Sequence, residues 1–97
     1  MTNAEQARNL LDTHPKYQGK DNNGKSRQEF VAKIAAMTDE KLLDHTEHMI
    51  WLSAYAGNNP RSDYHWQVSA CYDEWTARDK AEQYTVAYEA AKASAGC

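Results

Sequence analysis

The sequence predicts an all-α fold, a compact bundle of four to five short helices, and three observations predict it. Two segments open with a capping box, apolar residues recur at helical spacing through most of the chain, and no segment alternates in the β-branched manner of a strand. There is no internal repeat or low-complexity tract, so a single helical domain over residues 1–97 is expected.

The first helix starts at Thr2, where Thr-Asn-Ala-Glu places a hydroxyl three residues before Glu5, and Ala4, Ala7, Leu10 and Leu11 share a face. It stops at His14-Pro15, because the residue before a proline is pushed out of the α region. Residues 15–25 are polar, with two glycines and two asparagines, and read as an exposed basic loop. Ser26 opens a second helix with Ser-Arg-Gln-Glu, and Phe30, Val31, Ile34 and Ala35 follow at helical spacing. Thr38 caps a third, with Asp39 and Glu40 in the first turn where the dipole favours anions, and Gly57 ends it. Asn59-Pro60 starts a fourth, whose apolar stripe is Tyr64, Val68, Cys71, Tyr72 and Trp75. Near Arg78-Asp79 the stripe loses phase. A last segment carries Ala81, Tyr84, Ala87, Tyr88, Ala91 and Ala95, either as a separate helix capped by Asp79 or as the far arm of a bent one.

Ninety-seven residues, 41% of them hydrophobic and 26% charged, place the chain among ordinary globular proteins of one domain and exclude a two-domain enzyme. The net charge is −3, so the molecule as a whole lacks the basic field of a generic nucleic-acid binder. The charge is uneven: His14 to Lys33 holds five bases against two acids, whereas from Ile34 onward ten acids face five bases. Such an asymmetry orients a charged partner at long range. Two cysteines, Cys71 and Cys97, do not make a disulfide framework, and no signal-peptide pattern or run of membrane-spanning length is present, so a cytoplasmic setting is expected.

Gly19 to Ser26 matches G-x-x-x-x-G-K-S letter for letter, in which backbone amides would cradle phosphates, Lys25 would reach the β- and γ-phosphates and Ser26 would hold Mg²⁺. That chemistry needs a preceding buried strand, and His14 to Gln18 contains no strand-forming run. The expectation is a capped loop that at most attracts anions. His45 and His48, beside Asp44 and Glu47, supply two potential metal ligands, but a site would need His14, His65 or Cys71 to converge from elsewhere. No Ser/His/Asp or Cys/His spacing is recognisable. No catalytic residue, metal or cofactor is expected.

The aromatics say more. At 100° per residue the third helix puts Leu42, Leu43, Thr46, Met49, Ile50, Leu52, Ser53 and Ala56 on one broad face, with Trp51 and Tyr55 on the other beside Asp44, Glu47 and His48. In the fourth, Trp66 lies nearly opposite the apolar stripe, near Ala70, Asp73 and Ala77. Two explanations fit: neighbouring elements cover these rings, or the rings form an interface, since Trp and Tyr dominate binding hot spots. A homodimer patch would look the same.

The stretch HTEHMIWLSAYAGNNPRSDYHW (His45–Trp66), continuing to CYDEW (Cys71–Trp75), resembles a segment of small uncharacterised phage and prophage proteins over about a third of the chain. The resemblance carries no catalytic motif. It implies a setting in which small, acidic, helical proteins act by stoichiometric binding, anti-CRISPR proteins being one such class. The leading expectation is therefore a non-enzymatic protein that binds and blocks a host assembly, such as a nucleic-acid-binding defence complex. Trp51, Tyr55, Trp66 and His48 would anchor the contact, and Asp44, Glu47, Asp63 and Asp73 would imitate phosphates or pair with lysines and arginines. The alternatives are an anion or nucleic-acid binder using Lys16, Lys20, Lys25, Arg27 and Lys33, and a phage structural or assembly oligomer.

Overall fold

The computed structural model describes residues 2–56 and 63–94, without the side chains of Tyr55 and Ala56. It contains five helices, α1 (Asn3–Thr13), α2 (Arg27–Ala35), α3 (Asp39–Ala56), α4 (Tyr64–Ala77) and α5 (Glu82–Ser94), with a 3₁₀ turn at Pro15–Tyr17. No strand occurs among the described residues beyond an isolated bridge between Lys20 and Ser26. No helix there is long and apolar enough to cross a membrane. The expected helix start at Asn59-Pro60 and stop at Gly57 lie outside the described residues.

Local chemistry accounts for most helix ends. Thr2 Oγ1 accepts the Glu5 amide at 3.1 Å, and α1 ends at Thr13, two residues before Pro15. Ser26 Oγ accepts from the Gln28 amide at 3.2 Å, and Thr38 Oγ1 from the Lys41 amide at 3.2 Å. Between α4 and α5 the chain makes a Schellman turn: the Lys80 amide donates to Trp75 O and the Asp79 amide to Thr76 O, both at 2.9 Å. Asp79 occupies the left-handed position of that turn, with φ of 60°. Asp79 thus terminates α4 rather than capping α5, and two separate helices replace the bent-helix alternative.

The central element is α4, which contacts each of the other four helices. Its buried residues are Trp66, Ala70, Cys71, Glu74 and Trp75. At 100° per residue that arc is turned about a quarter of a revolution from the expected stripe. Cys71 and Trp75 are buried as expected, but Tyr72 is 46% exposed and Trp66 is in the core. The off-core placement of Trp66 is thereby corrected: its ring meets Phe30 edge-on at 5.2 Å and Arg27 covers it at 5.0 Å. The main core joins it to Leu11, Tyr17, Val31, Ile34, Leu42, Ala70 and Trp75, and a second cluster of Ile50, Ala87 and Ala91 seals α3 to α5.

Glu74 explains the rotation. A carboxylate would count against a core face, yet this one is fully buried. Arg8 of α1 grips both of its oxygens at 2.7 and 3.0 Å, and Arg78 Nε donates to Oε2 at 2.8 Å. Arg78 also donates to Asp39 Oδ1 at 2.8 Å and to the carbonyls of Ile34 and Met37 at 2.9 and 2.8 Å, closing the C-terminal end of α2. Lys80 pairs with Asp39 as well, and the two cations hold that carboxyl below its usual range. The buried indole of Trp75 donates to Thr46 Oγ1 at 3.0 Å, and Thr46 donates on to Leu42 O.

The 15–25 segment is exposed over most of its length, but Tyr17 is an exception that the polar composition hid. Its side chain is fully buried, and its hydroxyl donates to Asp73 Oδ2 at 2.5 Å and lies 3.1 Å from Ser69 Oγ. Burial, reinforced by the Asp73 carboxylate, raises the phenol above its ordinary range.

The ionic cluster, the turn after α4 and the buried thiol each set a stability outcome. Glu74→Ala, which takes the acceptor from the Arg8 fork and from Arg78 Nε and leaves a cavity beside them, lowers the unfolding free energy by about 3 kcal/mol in urea titration. Arg8→Ala has a smaller effect, because the Arg8 side chain is 43% exposed and Arg78 still serves Glu74. Asp79→Gly relieves the left-handed backbone and raises the urea midpoint by about 0.5–1 kcal/mol equivalent, with the m-value unchanged. Burial pushes the Cys71 thiol up to about 12, so above pH ~9 the unfolded chain loses a proton that the folded chain keeps. Stability therefore declines as pH rises through that window, by at most about 1.4 kcal/mol per unit for this group, and Cys71→Ala flattens the slope.

Candidate functional site: an acidic groove between α3 and α5

Asp44, Glu47, His48 and Trp51 stand at i, i+3, i+4 and i+7 on α3, the spacing that places four side chains on one line. The opposite face of α3, carrying Leu42, Thr46, Met49 and Ile50, is buried as expected, which turns this line outward. Beside it, α5 presents two small residues, Ala91 and Ser94. The six together line an open groove of about 220 Å³. Ala91 lets the helices approach closely, whereas Trp51 is 40% exposed along one wall.

The groove's carboxylates differ from the two in the ionic cluster around Arg78. Glu74 and Asp39 are held by arginines and a lysine, whereas neither Asp44 nor Glu47 has an ion pair among the described residues. Within the groove the Ser94 hydroxyl donates to Glu47 Oε1 at 3.4 Å. Between Asp44 and Ala56 the chain carries these two acids and no lysine or arginine.

The other residues expected at an interface have structural duties. Asp63 accepts the Asn22 amide at 2.9 Å and the Trp66 indole N–H at 3.0 Å, tying the 19–25 turn to the start of α4. Asp73 accepts the buried Tyr17 hydroxyl. Trp66, Asp63 and Asp73 therefore do not join Trp51 in one surface; packing and internal hydrogen bonds occupy them. The side chain of Tyr55 lies outside the described residues.

The basic residues do not form one patch. Lys16 donates to Ser69 at 2.7 Å, and Arg27 donates to Lys16 O at 2.6 Å while covering Trp66. Lys25 and Lys33 line a second groove of about 260 Å³ that also contains Asp21 and Glu29, and Lys20 lies at the bridge to Ser26. The G-x-x-x-x-G-K-S segment has the amides of Asp21 to Lys25 bonded within the fold. Asp21 Oδ1 accepts from Asn23 and Lys25, Gly24 donates to Asp21 O, Arg27 to Gly19 O, and the Ser26 hydroxyl caps α2. A phosphate finds no cradle of unspent N–H groups there.

The histidines also diverge. His45 turns to Phe30, with ring centres 5.7 Å apart, and burial holds its imidazole below the usual range. His14 accepts the Lys16 amide and His65 pairs with Ser53 at 3.0 Å. Among the described residues no three of His, Cys, Asp and Glu gather to hold a metal ion.

Sequence reasoning missed a further surface. Leu10, expected in the core, is 40% exposed and lines a shallow cleft with Tyr72, while Val86 and Tyr88 on α5 are about half exposed. The signal was present only in the length of Tyr72, whose ring reaches Tyr84 edge-on at 5.1 Å instead of entering the bundle. Comparison of the chain with protein-family models, with curated proteins and with solved structures gave no match.

Proposed function

We propose that this is a non-enzymatic, phage-type binding protein that occupies a surface of a host protein assembly and blocks it, with the α3–α5 groove as its contact face. One observation carries the reading: Asp44, Glu47, His48 and Trp51 converge on a single open groove whose carboxylates lack an ion pair among the described residues. A half-exposed tryptophan flanked by acids is the composition of a hot spot directed at a basic surface. The nucleic-acid-contacting face of a defence complex, in the manner of anti-CRISPR inhibitors, is such a surface. The resemblance of His45–Trp66 to phage proteins supports the same setting. The basic-segment alternative is less well supported, because Lys16 and Arg27 are engaged in holding the fold.

A photo-crosslinking residue at position 48 should capture a nucleic-acid-binding host assembly, and the same residue at position 33 should not. With the captured partner purified, Trp51→Ala should weaken the complex by about 2 kcal/mol or more, roughly thirty-fold in Kd, while helicity and melting stay nearly unchanged. Capture from position 33 alone would return the anion-binding alternative. Cross-links between copies of the chain from position 48 would replace the reading with a homo-oligomer that buries this groove.

A further inference from the structure

We infer that the α3–α5 groove takes an arginine side chain of the partner, which stacks its guanidinium on Trp51 and donates to Glu47. The inference rests on the reading that this groove is the contact face and adds the chemistry of its occupant.

Three features select that chemistry. First, Glu47 and Trp51 are one helical turn apart, so an acceptor carboxylate and an aromatic face lie side by side, with Asp44 one further turn-step along the same line. Second, the opposing wall is low: Ala91 and Ser94 leave room for a long side chain to lie along the groove. Third, the carboxylates lack a counter-cation within the described fold, although the same chain supplies arginines to Glu74 and Asp39.

An anionic ligand would be repelled by Asp44 and Glu47, and a purely apolar one would strip water from both carboxylates without replacing it. Among cations, lysine is a compact, strongly hydrated charge with no planar face. Arginine is flat, weakly hydrated and carries a fork of N–H donors, so it can stack on an indole and bond a carboxylate at once. An arginine that holds nucleic acid meets a phosphate oxygen and a base face; the groove offers Glu47 and Trp51 in their place. The protein would thus compete with nucleic acid for the same residue.

The test uses two synthetic peptides of equal length and charge, one with three arginines spaced by glycine and one with three lysines. Each is titrated into the ¹⁵N-labelled protein at low salt. The arginine peptide should shift the Trp51 indole N–H and the Ala91 and Ser94 amides, and bind about three-fold more tightly than the lysine peptide. Glu47→Gln should weaken the arginine peptide and erase that preference, whereas Glu29→Gln, in the other groove, should change neither. Equal affinities for the two peptides, shifts confined to other acidic surfaces, or no shift at millimolar peptide would overturn the inference. If the peptides fail in this way while cross-linking from position 48 still captures a host assembly, the arginine is wrong and the contact face stands. If the peptides behave as expected but the host assembly cross-links elsewhere, the contact face is wrong.

Discussion

Glu74 is a carboxylate with no exposure at the middle of the bundle, and the arrangement of the helices depends on how its charge is met. Taking it out of water without partners would cost several kcal/mol, so its burial requires the Arg8 fork from α1 and Arg78 one turn further along α4. Once Arg78 is fixed by Glu74, its remaining N–H groups reach the last carbonyls of α2 and the first acid of α3. One ionic cluster therefore sets the positions of four helices. To an apolar core whose largest members are Trp66, Trp75 and Tyr17 this cluster adds directional bonds, which rigidify the packing when fully satisfied.

The same logic operates elsewhere along α4. Tyr17 plugs the core from a segment that is otherwise polar, and its hydroxyl is satisfied by Asp73 and Ser69. Asp63 joins the 19–25 turn to the Trp66 indole. These contacts use up acids and bases that would otherwise be free for binding. Asp44 and Glu47 stand apart from these contacts on the outer side of α3, opposite its buried face, with no ion pair among the described residues.

The candidate site was half legible. Asp44, Glu47, His48 and Trp51 could be placed together because helical spacing alone puts them on one line opposite a clear apolar face. Trp66 and Asp73 escape a stripe drawn through Tyr72 and away from Glu74, because the buried arc runs the other way, and Asp63 is taken by bonds to the Asn22 amide and the Trp66 indole that spacing does not show. A periodicity argument scores a carboxylate as a surface residue and cannot see an arginine 66 positions away. Tyr17 escaped for a related reason, since its neighbours are proline, lysine, glutamine and glycine and its partners are on α4.

Sequence alone determined both ends of α1, the starts of α2 and α3 and the end of α4, because those signals act within four residues: the hydroxyls of Thr2, Ser26 and Thr38, the proline at 15, and the loss of phase at Arg78-Asp79. It also determined the acidic, aromatic line along α3. Tertiary structure decided which side of α4 is interior, which of Trp51 and Trp66 faces out, and which charges remain for a partner. Those outcomes turn on pairings such as Arg8 with Glu74 and Tyr17 with Asp73, whose strength comes from shared burial, and burial is a property of the assembled helices rather than of any one of them.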